Sequence, residues 1–338
     1  MSMVSSLRDQ LTPREGAGRL PALLLDQGQP PGQLPVTGQG YVPPKKRRCC
    51  CWERGGIISL FRRHPLISFF VLAYALSWWP SILYALDLSP QPVAGFGPFL
   101  AALVVLALTY GKAGIGGLLR RMVRWRVGLR WYAVALLLPV AITLVATSLN
   151  VLLGAKAPTS AELSGWTGIF STFALVLLVP GLGGAWEEPG WRGFAVPRLQ
   201  TGRSALFAGL ILGVLIAAWH LPLMVVGEVH YSDIVSIMGA TLVLNWVFNN
   251  ANGSVLIIMM MHAMNNTISG SFFSPMFTGV DSVRQSWMLA ATWCVVAIVV
   301  VILAGPAHLS RTHKKQEEKG AEEPGATTPT VSPVPRPA

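Results

Sequence analysis

Two adjacent carboxylates and an arginine, Glu187, Glu188 and Arg192, stand in Trp186-Glu187-Glu188-Pro189-Gly190-Trp191-Arg192, inside a sequence that is otherwise mostly hydrocarbon. Two other apolar runs carry polar chemistry: Ala217-Ala218-Trp219-His220-Leu221-Pro222, and Met260-Met261-His262-Ala263-Met264-Asn265-Asn266. Ionisable side chains in such surroundings are costly to desolvate, which makes each a candidate functional residue. Glu188 and Arg192 are four residues apart, as are His262 and Asn266, so on helices each pair shares a face. Arginine beside two carboxylates holds one of them as a structural ion pair and leaves the other for proton transfer.

A carboxylate, two imidazoles and an amide brought together suggest hydrolysis: one group activates water and others hold the oxyanion that forms on a peptide carbonyl. Two mechanisms use the same residues. Glu187, His220 and His262 could be ligands of Zn with water in the fourth position. Alternatively, Glu187 and His220 polarise water directly, with His262 and Asn266 as oxyanion donors. The sequence has no His-Glu-x-x-His, so a zincin signature is missing.

The elements that must position these groups are membrane helices. The chain is 52% hydrophobic and 12% charged, with a mean hydropathy of +0.51, a composition that an ordinary soluble globule does not have. Apolar runs at about 66–86, 95–110, 131–154, 168–184, 205–222, 234–249, 254–270 and 287–305 give eight candidate spans, the second of them short. The expected fold is an all-α, polytopic integral membrane helical bundle, 56–305, with disordered tails at 1–55 and 306–338. If the fourth span ended near residue 184, Glu187 would lie at the membrane surface, while His220 would be ~22 Å deep at about 1.5 Å per residue. A helix running on from 168 to 199, bent at its glycines or at Pro189-Gly190, would bring Glu187, His220 and His262 to a common depth. That long kinked helix is the expectation.

Charge accounts for orientation. The net charge of +11 sits mainly in the tails and in the connection 111–130, with Lys112, Arg120, Arg121, Arg124, Arg126 and Arg130. Positive-inside topology puts both termini in the cytoplasm and explains the charge without nucleic acid. The expected location is a bacterial plasma membrane, and the partners are the lipid bilayer and a membrane-associated protein or peptide substrate. Of four cysteines, Cys49, Cys50 and Cys51 follow Lys45-Lys46-Arg47-Arg48, which reads as a juxtamembrane acylation site or as an incidental part of a basic tail. No signal peptide or disulfide framework is readable.

Taken together and in order, the three stretches resemble the CAAX protease and bacteriocin-processing (Abi) family of intramembrane endopeptidases, related to the type II CaaX prenyl endopeptidases. The family pattern is Glu-Glu-x-x-x-Arg, then Phe-x-x-x-His, then His-x-x-x-Asn or a small residue in the last place. Glu187-Glu188-x-x-x-Arg192 and His262-x-x-x-Asn266 fit it, and the middle motif keeps His220 but has Ile216 in place of Phe. The resemblance covers about residues 165–275. It implies that Glu187 activates water with His220, that Glu188 and Arg192 support it, and that His262 and Asn266 hold the oxyanion. It leaves both a metalloprotease and a glutamate-type endopeptidase open.

Two other classes remain in view: a transporter with intramembrane Glu and His in an ion path, and a non-catalytic immunity or interaction protein. Several residues have simpler readings. Met259, Met260, Met261 and Met264 read as adaptable packing, Trp78, Trp79, Trp125 and Trp131 as an interfacial belt, and His230 with Glu228 and Asp233 as a loop. Asn245, Asn249, Asn250 and Asn252 read as turn and cap residues at the end of the sixth span.

Overall fold

A computed structural model describes residues 57–89 and 92–310. The predicted tail 1–55, with Cys49, Cys50 and Cys51, lies outside them, as does the second tail beyond Ser310.

The described chain is all-helical, with no strand among the described residues. Helix α1 (Ile57–Arg63) leads into α2 (Pro65–Ala85), α3 (Gly97–Met122) and α4 (Leu129–Leu152). Short turns from Ser160 introduce α5 (Gly168–Leu178). After an irregular stretch come α6 (Ala205–Trp219), α7 (Ser232–Asn250), α8 (Val255–Asn265) and α9 (Gly279–Ala304). Six helical segments are long and apolar enough to cross a membrane: 65–85, 97–122, 129–152, 160–178, 232–250 and 279–304. The expected count of eight is not reached on that criterion, because two of the runs form shorter helices. Helix α6 is apolar but has 15 residues, and α8 has 11 before its geometry changes at Asn266.

Outward-facing apolar side chains are abundant on these segments. Ile67, Val71, Leu137, Phe170, Val214 and Ile302 are all exposed, an arrangement that hydrocarbon solvates and water would not. Helices approach one another where side chains are absent. At Gly239 of α7 a Cβ would come within 3.0 Å of the Trp293–Cys294 backbone of α9, so glycine sets how close these two helices pack.

Three expectations need correction. Helix α3 does not stop at residue 110; it resumes after a kink at Gly111, whose φ of 60° a glycine adopts without Cβ strain, and carries Lys112, Arg120 and Arg121 as helix and not loop. The long bent helix 168–199 is absent. Helix α5 ends at Leu178, where Pro180 has no N–H to continue the ladder, and Gly181 and Gly183 turn the chain at positive φ. The chain then re-enters the core as a 3-10 turn (Gly184–Glu187), a π-helix (Pro189–Ala195) and one α turn (Val196–Leu199) packed against α3. Finally, residues 306–310 pack back onto the bundle. Pro306 and Ala307 carbonyls accept from the first turn of α6, Asn249 and Asn250 Nδ2 donate to His308 and Leu309 carbonyls, and Leu309 is fully buried.

The aromatic belt also divides. Trp79 and Trp125 are exposed, whereas Trp131 is buried edge-on against Trp246 and Trp78 is tied into the core.

Candidate active site

The re-entrant stretch is buried along its acid-bearing part, with Glu187, Glu188 and Arg192 each no more than 5% exposed. Charges in such a place persist only if paired. Arg192 Nη1 donates to both oxygens of Glu188 at 3.0 Å, and Arg192 Nε donates to Asn245 Oδ1 at 3.3 Å. The i,i+4 spacing read from the sequence is therefore an ion pair. Glu188 is engaged a second time, because His262 Nδ1 stands 2.6 Å from its Oε1. A carboxylate only accepts, so that nitrogen carries the proton.

Glu187 has lighter ties. Trp191 Nε1 donates to its Oε2 at 3.1 Å, and no other side chain among the described residues is bonded to it. Trp191 is itself held by rings: Phe69 lies edge-on at 5.6 Å and Trp219 at 6.1 Å.

His220 terminates α6, one residue before Leu221-Pro222, where proline limits a straight continuation. Its Nδ1 lies 2.8 Å from the Ile216 carbonyl, which can only accept, so the Nδ1–H tautomer is fixed and Nε2 keeps its lone pair in the neutral ring. Helix α2 secures this turn from outside: Trp78 Nε1 donates to the Trp219 carbonyl at 2.9 Å, and Tyr74 Oη to the Leu215 carbonyl at 2.5 Å. Trp219 then stacks edge-on against the His220 ring at 4.8 Å.

His262 lies in the last turn of α8, and Asn266 begins a second π-helix, Asn266–Phe273. The two sit against Gly183-Gly184. A Cβ at Gly184 would fall 2.1 Å from His262 Nε2, and one at Gly183 would fall 3.2 Å from Asn266 Nδ2. Glycine is required there because the backbone passes directly over the imidazole edge. Both π-helical stretches thus start beside the polar groups, in keeping with the tendency of π turns to occur at functional sites.

All six sequence-predicted residues, Glu187, Glu188, Arg192, His220, His262 and Asn266, line one cavity of about 590 Å³. Its other walls come from α7 and α9, including Ser236, Thr241 and Gln285. Three neighbours escaped the sequence reading. Asn245 is not a cap: it lies inside α7, fully buried, holding Arg192. Trp191 reads from sequence as one tryptophan among many, and only the fold turns its N–H toward Glu187. Gly184 gives no sequence signal beyond a Gly-Gly pair. The predicted loop residues Glu228, His230 and Asp233 border the same cavity.

Glu187, His220 and His262, the three expected Zn ligands, all line the cavity. Among the described residues no three His, Cys, Asp or Glu side chains are grouped so as to hold a metal. In both rings Nδ1 is committed, His262 to Glu188 and His220 to the Ile216 carbonyl, which leaves Nε2 of each as the atom for further contacts.

Comparison with known proteins covers this same region. The family model for type II CAAX prenyl endopeptidase Rce1-like proteins matches residues 165–268, which include every residue named above from Gly183 to Asn266. CAAX prenyl protease 2 of Methanococcus maripaludis is 24% identical over 236 residues, covering 62% of this chain and 85% of the relative.

Proposed function

We propose that this chain belongs to the Rce1-like family of CAAX prenyl endopeptidases, whose model and relative it matches, and cleaves membrane-associated proteins with a water molecule activated by Glu187 and His220. It is an integral membrane protein of a protease family; the catalytic roles and the substrate are our reading. The observation that carries it is the unequal engagement of the two carboxylates within one cavity. Glu188 is bound by Arg192 and His262, whereas Glu187 borders the cavity with only the Trp191 N–H on it.

In this reading Glu187 takes a proton from water while His220 Nε2 accepts a hydrogen bond from the same water and aligns it. The hydroxide oxygen bonds to the scissile carbonyl carbon, and the carbonyl π electrons move onto oxygen. Asn266 Nδ2–H donates to that oxyanion, and His262 donates from Nε2 when the ring carries both protons, with Nδ1–H on Glu188. Glu187 then passes its proton to the leaving nitrogen as the C–N bond breaks, which releases an amine and a carboxylic acid. Trp191 orients Glu187, and Asn245 orients Arg192. No step requires a metal.

The names of the matched family and relative make prenylated CAAX peptides the first substrates to test. The distribution of Lys and Arg supports an orientation with both termini cytoplasmic, and a bacterial plasma membrane is part of the same proposal. The protein in lipid nanodiscs, with its Glu187→Ala and His220→Ala variants, should be incubated with prenylated CAAX peptides and with a pool of membrane-protein peptides, each with and without chelator. We expect cleavage by the parent, loss of about 10²–10⁴-fold in each variant, and no chelator effect. Cleavage that survives both substitutions would refute the assignment, and loss of activity on chelation would refute the metal-free route. A failure to cleave either substrate set would favour a transporter or an interaction protein.

A further inference from the structure

A second cavity, of about 660 Å³, lies away from the candidate active site and has a different chemistry. Three arginines border it, each from a different element: Arg63 closing α1, Arg121 in the last turn of α3, and Arg198 in the turn Val196–Leu199. His64 and Tyr110 add polar edges, and no Asp or Glu among the described residues lines it. Its apolar part is Pro65, Leu66, Ile67, Leu106 and Leu118, and its groove runs past Ala113, Gly114 and Gly117, where α3 beyond the Gly111 kink has almost no side chains.

Two of the arginines, Arg121 and Arg198, are aimed by the fold, whereas Arg63 is exposed. Arg121 Nη1 donates to the Gly193 carbonyl at 3.3 Å. Arg198 Nη1 donates to the Phe194 carbonyl at 2.8 Å, with its guanidinium 3.8 Å over the Phe194 ring and 5.6 Å from that of Tyr110. A guanidinium has five N–H donors, so one carbonyl bond to Arg121 leaves others for an anion. Arg63 closes α1 two residues before the first residue of α2, and Arg121 stands at the end of α3, so the positive charge gathers at the ends of two membrane-length helices. Ile67 and Leu106 lie further along those helices, and Ile67 faces outward. Headgroup-level cations above an apolar groove match a ligand with an anionic head and a hydrocarbon tail.

We infer that this groove binds an anionic phospholipid, its phosphate between Arg63 and Arg121 and an acyl chain along Ala113, Gly114 and Gly117. The charge complementarity selects an acidic lipid over a zwitterionic one, and the apolar groove selects a lipid over free phosphate.

The test uses two variants that leave the bundle's own contacts alone. Arg63→Gln removes an exposed charge. Gly117→Leu fills the groove without altering charge, at a position where an added Cβ meets nothing within 4 Å. The full chain is purified from mixed phosphatidylglycerol and phosphatidylcholine micelles, and the lipid retained is counted by native mass spectrometry. Thermal stability is measured in parallel with inorganic phosphate alone. We expect preferential retention of phosphatidylglycerol, a drop of about fivefold in Arg63→Gln, as ~1 kcal/mol per basic residue implies, and a drop of at least that size in Gly117→Leu. Equal retention of the two lipids, or unchanged phosphatidylglycerol in both variants, would overturn the inference. Stabilisation by inorganic phosphate that Arg63→Gln abolishes and Gly117→Leu leaves intact would overturn the lipid in favour of free phosphate.

Discussion

Pro189–Ala195 and Asn266–Phe273 are both π-helical and both border the cavity, yet only the first is buried along its whole length. Its arginine is fixed by a carboxylate and an amide, and its tryptophan by other rings. The second stretch buries Thr267, Ile268 and Phe273 but exposes Gly270 and Ser271. One wall of the cavity is therefore held rigidly by polar bonds that have nowhere else to go, and the opposite wall is partly open. Proton transfer needs the first property, because a base displaced by about 1 Å can lose much of its rate. Access for a peptide needs the second.

Substitutions should separate the two walls. Glu188→Ala leaves the Arg192 charge buried without its carboxylate and should destabilise the protein by about 3–5 kcal/mol, read as a large fall in the unfolding midpoint in detergent. Stability unchanged in that variant would mean the first wall is not held by the ion pair. Asn245→Ala removes the acceptor of Arg192 Nε and should cost about 1.5–3 kcal/mol; a loss below 0.5 kcal/mol, on the scale of ordinary surface changes, would make Asn245 a bystander. Gly184→Ala forces His262 to move and should cost about 1–3 kcal/mol, with lowered peptide cleavage at a temperature where the variant is still folded. Full activity there would show that the His262 edge does not need its present place. Ser271→Ala, on the open wall, should stay within about 0.5 kcal/mol, and a larger effect would erase the contrast between the walls.

The i,i+4 pairing of Glu188 with Arg192 was available from spacing, since a buried arginine four residues from a carboxylate has few other partners. The co-location of Glu187, His220, His262 and Asn266 in one cavity followed from the cost of charge in hydrocarbon, although the expected route to it, a continuous bent helix, was mistaken. The irregular path 179–183 had its signals in Pro180, Gly181 and Gly183, but the hydrophobicity of the neighbouring residues outweighed them. Asn245 was hidden because an amide near the end of an apolar run looks the same whether it caps a helix or reaches across to another. The helical continuation beyond the Gly111 kink was hidden for a related reason: hydropathy falls at Lys112, while the helix resumes there.

The sequence by itself determined the membrane-helical class and the set of polar residues that apolar surroundings could not ignore, because desolvation cost depends on residue type and local composition. Tertiary structure alone decided that His262 engages Glu188 a second time and leaves Glu187 with only the Trp191 N–H. Glu187 and Glu188 are chemically identical neighbours in the chain. Beyond the local i,i+4 contacts of Trp191 and Arg192, their difference comes from His262 approaching from α8, and direction across a bundle is not written in linear spacing.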